Sequence, residues 1–149
     1  MAIKIFISII FTFLSLTPNL TLNAQQKRSL EIEDLFRIKR VTDPQLSPDG
    51  KWIAFVITEV DKSANKMNSD IYLISSTGTG MRKFTSYPGN DVNPRWSPDG
   101  KTIAFVSNRS GDGQVWLIGV NGGEARQLTT LSTGASNPVW SPDGKMIAF

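Results

Sequence analysis

Ser63-Ala64-Asn65-Lys66 is the stretch of this chain whose spacing could set a nucleophile beside a base. A serine three residues before a lysine is the acylating pair of serine β-lactamases, where the serine opens a helix and a Lys-Thr-Gly strand completes the site. Here the four residues lie in a polar stretch and no Lys-Thr-Gly exists. The expectation is a solvated loop, with a partner or gating role as the alternative. The chain also has no histidine and no cysteine. It therefore holds no Ser-His-Asp triad, no thiolate nucleophile, no disulfide and no Cys/His zinc site.

The other chemically suggestive residues recur at fixed intervals. Asp49, Asp99 and Asp143 could be proposed as acids or metal ligands, yet each stands at the same place in a repeated turn, which argues for a structural role. Gly78-Thr79-Gly80 and Gly111-Asp112-Gly113 lack the third glycine of a dinucleotide-binding loop and are expected to be turns. Trp96, Trp116 and Trp140 occupy strand positions and are assigned to packing. Asn108-Arg109-Ser110 is a glycosylation sequon, expected to be unused. No catalytic, cofactor-binding or metal-ligating residue is assigned, and no cofactor is expected. Sixteen basic against 13 acidic side chains give a net charge of +3. The basic residues are scattered, so nucleic acid is not an expected partner.

The element that must position all of these is a repeat. Ser-Pro-Asp-Gly begins at 47, 97 and 141, and each copy continues Lys-x-Ile-Ala-Phe, ending at Phe55, Phe105 and Phe149. The intervals of 50 and 44 residues differ by six, which one insertion within 59–69 accounts for. Serine, proline and glycine suit the first, second and fourth positions of a type I turn, so each motif joins two strands. A third strand follows at Asp70–Ile74 and Gln114–Ile118, and a fourth at Met81–Thr85 and Ala125–Thr129. Trp52 to Ile57 shows no polar alternation, so both faces of that strand should be covered. Four-stranded sheets stacked face to face meet this demand. The fold class is all-β: a partial β-propeller of two four-stranded antiparallel blades plus the start of a third.

Ahead of the repeat, Met1–Ala24 reads as a signal peptide: Lys4, then an apolar block over 5–16, a break at Pro18, and a small residue before a polar stretch. The block is shorter than the roughly 20 residues that span a bilayer. Export to the periplasm or outside the cell is expected, without stable membrane insertion; an uncleaved anchor is the alternative. Residues 25–42 form a lead-in whose Ser29–Val41 has helical charge order, with Ser29 as N-cap, acids early and bases late. Ile32, Leu35 and Phe36 would form its apolar face and pack on the propeller edge. The incomplete propeller takes 43–149, with blades at about 43–86, 91–130 and 135–149.

The Ser-Pro-Asp-Gly-Lys-x-Ile-Ala-Phe signature, with Trp96 before it and Asp70-Ile71-Tyr72-Leu73-Ile74 after it, resembles the TolB-type propeller repeat. The lead-in Leu35-Phe36-Arg37-Ile38-Lys39-Arg40-Val41, running into Asp43-Pro44-Gln45-Leu46, resembles the start of exported prolyl oligopeptidase family serine peptidases, in the acylaminoacyl-peptidase and dipeptidyl-peptidase branches. The resemblance covers about 30–149. It implies a non-catalytic propeller that gates peptide access to a separate hydrolase domain bearing the catalytic triad. It also implies that these 149 residues are the N-terminal part of a longer protein, since two blades and part of a third do not close a ring. The chain alone should be inactive, with two blade faces left bare. A TolB-like periplasmic propeller that binds protein partners is the alternative.

Overall fold

The computed structural model describes residues 28–149; the signal-peptide reading of 1–24 lies outside them. One helical turn, α1 (Ile32–Leu35), precedes ten strands. Strands β1 (Arg40–Leu46), β2 (Trp52–Asp61), β3 (Lys66–Ser75) and β4 (Arg82–Lys83) form the first antiparallel sheet in chain order. Strands β5 (Asp91–Trp96), β6 (Thr102–Ser107), β7 (Gln114–Gly119) and β8 (Arg126–Gln127) repeat it. The hairpin β9 (Val139–Trp140) and β10 (Ile147–Ala148) begins a third.

The Ser-Pro-Asp-Gly turn is built the same way three times. Gly50 N–H donates to Ser47 O at 2.9 Å, and Ser47 N–H to Trp52 O at 2.8 Å. The Ser47 hydroxyl donates to Asp49 Oδ1 at 2.6 Å and accepts from Trp52 N–H at 2.9 Å. Asp49 Oδ1 also accepts from Lys51 N–H. The bonds at Ser97/Asp99 and Ser141/Asp143 match. Gly50, Gly100 and Gly144 have φ of 70°, 68° and 69°, a left-handed conformation that a Cβ disfavours. The three aspartates are thereby spent on the turn backbone.

A second repeated device stands four residues before each serine. Asp43, Asn93 and Asn137 have φ of 50°, 52° and 50°, and the β1–β2 and β5–β6 ladders slip at the first two. Aspartate and asparagine tolerate this region better than other residues with a Cβ. The bulge also accommodates the proline that follows, which has no N–H to give a ladder. Pro94 and Pro138 are fully buried there.

The sheets stack head to tail. Ala54, Val56, Ile71 and Leu73 of the first blade meet Ile103, Phe105 and Ile118 of the second in one core. In the repeat, Ala54 corresponds to Ala104, not to Ile103 or Phe105, so the second blade presents the opposite face of an equivalent sheet. Strand residues alternate between faces, which is why the sequence had to be apolar on both. Ala104 and Val115, on the far face, are themselves fully buried. The chain leading to β9 is tied down on that side by Ala135 N–H to Gly113 O at 2.7 Å. Indoles stitch successive blades: Trp96 Nε1–H donates to Gln45 O at 3.0 Å, and Trp140 Nε1–H to Arg95 O at 3.1 Å.

Three expectations are corrected. The helix is one turn, with Glu31 rather than Ser29 at its N-cap and the Glu31 N–H donating to Asp34 Oδ2 at 3.0 Å, and Arg40 and Val41 belong to β1. Its apolar face is not buried: Ile32 and Leu35 are 68% and 61% exposed, and Phe36 meets the Lys62 ammonium, 4.7 Å from its ring. The charge order was helical, but so short a helix needs a buried face to persist. Strand pairing of 40–42 with 56–58 takes over instead. The fourth strands are also shorter than 81–85 and 125–129, because Thr85 and Thr129 leave the ladder and use their hydroxyls to accept from Ile71 N–H and Val115 N–H. Finally, the six-residue insertion is not a loose loop. It lengthens the β2–β3 hairpin in register out to Asp61↔Lys66.

Replacing Trp96 by phenylalanine keeps the ring on the core and strands the Gln45 carbonyl. W96F should lower unfolding free energy by about 1–3 kcal/mol in urea melts. A midpoint equal to that of the parent would show that the indole stitch contributes nothing.

Candidate functional site

The lengthened hairpin stands beside the connection from β4 to β5, and the two enclose an open cleft of about 1020 Å³. The hairpin wall carries Glu59, Lys62, Lys66 and Asn68; the opposite wall carries Tyr87, Asn90 and Asn108. The connection is held at its base. Asn90 N–H donates to Asn108 Oδ1 at 2.9 Å, and Asn108 N–H to Asn90 O at 3.3 Å. A Cβ on Gly89 would lie 2.5 Å from that same Oδ1 and 2.6 Å from the Tyr87 ring, so only glycine fits.

Beneath the cleft runs a charged seam between the blades. Asp91 is fully buried, and both carboxylate oxygens accept from Arg109, at 2.9 and 2.8 Å. The guanidinium lies over the Tyr87, Phe105 and Trp116 rings at 5.1, 5.4 and 4.8 Å, while its Nε donates to the Ser107 hydroxyl. A planar, delocalised cation suits this stacked position in a way that lysine does not. The neighbouring carboxylate, Asp70, accepts from Lys83 at 2.7 Å and Asn68 at 2.6 Å through Oδ2. Its Oδ1 is buried with no partner among the described residues. Burial pushes the Asp70 carboxyl up, against the pull of Lys83. The hydrogen bond to Asp70 raises Lys83 in turn.

A third pair joins the first strands of the two blades. Arg95 donates to Asp43 at 3.0 and 2.9 Å, with Gln45 and Asn93 donating to the same carboxylate. Burial alone would raise the Asp43 carboxyl; those hydrogen bonds outweigh it and hold the group below the ordinary aspartate value.

These pairs went unread in the sequence, although the alignment of Asp43 with Asn93 and Asn137 was a usable signal. The residues singled out for chemistry fall elsewhere. Ser63 sits in the hairpin tip, where its hydroxyl donates to Asp61 Oδ1 at 2.6 Å, and it neither opens a helix nor contacts Lys66. The glycines of 78–80 and 111–113 lie in strand connections. Asn108 of the sequon is exposed at the cleft mouth. Among the described residues no three His, Cys, Asp or Glu side chains cluster to hold a metal, and no helix is long and apolar enough to cross a membrane.

The two perturbed aspartates pull stability in opposite directions with pH. Asp43, with a lowered folded value, stabilises above the ordinary aspartate range and loses this as pH falls through its folded value. Asp70, with a raised folded value, contributes fully below the ordinary range and loses this as pH rises through its folded value. Carboxyl-carbon NMR titration should find Asp43 titrating below, and Asp70 above, the reference near 3.9. R95M should move Asp43 up and leave Asp70 in place. Both groups titrating at the reference value would contradict the seam geometry.

Comparison with known proteins gives this arrangement its context. Residues 12–149 match the model of the TolB beta propeller domain. An uncharacterized peptidase of Bacillus subtilis, YuxL, is 40% identical over 86 residues, covering 58% of this chain and 13% of that protein. Dipeptidyl-peptidase 5 of Porphyromonas gingivalis is 32% identical over 101 residues, covering 68% of this chain and 14% of that protein. The chain therefore spans only a small part of these relatives' length. The solved acylaminoacyl peptidase of Pyrococcus horikoshii superposes with a TM-score of 0.63 at 20% identity, over 76% of this chain and 17% of that one; this is a likeness of fold. With repeated turns, head-to-tail blades and a match across nearly all its residues, the chain belongs to the TolB beta propeller domain family.

Proposed function

We propose that this chain is the propeller segment of an exported serine peptidase of the prolyl oligopeptidase type. In this reading it admits peptides to a catalytic domain outside these 149 residues. The observation that carries the reading is the pairing of a peptidase-like lead-in with blades related to YuxL and dipeptidyl-peptidase 5. The chemistry of the chain agrees. With no histidine it has no Ser-His-Asp triad of its own, and its buried carboxylates Asp70 and Asp91 are paired with Lys83 and Arg109. The apolar leader at 5–16 supports export. The TolB-type repeat favours a second reading, a periplasmic propeller whose faces bind protein partners.

A fluorophosphonate probe separates the two. The product of the whole gene should be labelled once, at a serine outside residues 1–149, while the 149-residue chain takes no label. A whole-gene product that contains only propeller repeats and takes no label would overturn the peptidase reading in favour of the binding module. Stoichiometric labelling of the 149-residue chain would overturn its non-catalytic role.

A further inference from the structure

The lengthened hairpin leaves a backbone edge open inside the cleft. In an antiparallel ladder, a residue directs its N–H and C=O to the same side, and alternate residues to opposite sides. Ile71 shows which side is which. Its N–H donates to Thr85 and its C=O accepts from Phe84 and Thr85, all on the β4 side. Ser69 and Met67, two and four residues earlier, must face the same way, away from β2. Ser69 is covered, because it forms a parallel bridge with Asn90. Met67 is not: β4 pairs only with Tyr72 and Leu73, and residues 86–89 line the cleft without bridging to that residue. The Met67 N–H and C=O therefore face the cleft without a strand beside them.

The cleft carries charges of both signs, but its carboxylates are already engaged. Glu59 is already paired with Lys39 at 2.6 Å. Asp61 accepts from Ser63 and Ala64 within the turn. Lys66 has no ion-pair partner among the described residues, Lys62 lies over the Phe36 ring at 4.7 Å, and Lys83 spends one of its three donors on Asp70. The charged groups left with free hydrogen-bond donors are the ammonium groups of Lys62, Lys66 and Lys83. The cleft, at about 1020 Å³, is at the upper end of small-molecule sites and open at its mouth, which suits a length of extended chain.

We propose that the cleft between the β2–β3 hairpin and residues 86–90 binds an extended acidic peptide segment, which adds as a short strand to the Met67 edge and sets its carboxylates against Lys62, Lys66 and Lys83. Strand addition draws affinity from main-chain hydrogen bonds and specificity from flanking side chains. The inference concerns the chain itself and stands whether or not a catalytic domain follows.

The test is fluorescence anisotropy with the full 149-residue chain. The probes are fluorescein-labelled heptapeptides alternating valine with aspartate, the same peptide N-methylated at alternate amides, and a valine–lysine counterpart. The aspartate peptide should bind saturably and weaken with added salt, and the lysine peptide should not bind. N-methylation, which removes the peptide's main-chain donors, should weaken binding by about fivefold, as expected for losing the one hydrogen bond to the Met67 C=O. M67P should do the same, since its missing N–H serves no native ladder. K66E should weaken the aspartate peptide and admit the lysine peptide. If circular dichroism shows that M67P disturbs the fold, the N-methylated probe carries the backbone arm. Absence of saturable binding, equal binding of both charges, or indifference to N-methylation would each overturn the proposal.

Discussion

The structure depends on a single demand: both faces of each four-stranded sheet are apolar, so every sheet must be covered twice. Ala54 and Val56 bury one face of the first blade; Phe55 and Ile57, the residues between them, are buried on the other. The second blade answers with the opposite face of an equivalent sheet, through Ile103 and Phe105. Because the contact joins unlike faces, it generates a progression rather than a pair. The second blade in turn buries Ala104 and Val115 on its far face. Burial of this kind is non-directional, so it supplies cohesion but does not by itself fix how the sheets are rotated on one another.

Polar groups on the seam fix that rotation. The indole of each later blade finds a carbonyl two residues before the serine of the preceding turn. Asp43 reaches Arg95 across the first strands of the two blades, while Asp91 and Arg109 pair within the second blade. Such buried pairs are weak sources of net stability but severe against misalignment, since a displaced partner leaves a charge unpaired. Their placement also accounts for the chemical quietness of the chain. Its most buried charges are structural.

The sequence showed whatever the repeat wrote twice. Ser-Pro-Asp-Gly, the apolar runs of β2 and β6 and the paired third strands yielded the blades, their order and the role of the three aspartates. What it hid falls into two kinds. The buried pairs join residues 13 to 52 positions apart, and nothing local in Asp91 or Arg109 distinguishes a buried pair from two surface charges. The misread elements came from local patterns that tertiary contacts overrode. The helical charge order of Ser29–Val41 gave way to strand pairing because Ile32 and Leu35 had no surface to pack on. The insertion, polar enough to resemble a loop, followed the hairpin register because its ends were already paired. The cleft could not be read at all: it exists only where that hairpin passes the β4–β5 connection.

If burial between unlike faces is what holds the chain together, the two blades open as one cooperative unit. Native-state hydrogen exchange on the 149-residue chain tests this most directly. The amides of Ala54–Ile57 and of Ile103–Val106 should exchange through a common opening, with the same free energy and the same response to denaturant. Separate openings, with one blade exchanging freely while the other stays protected, would contradict it.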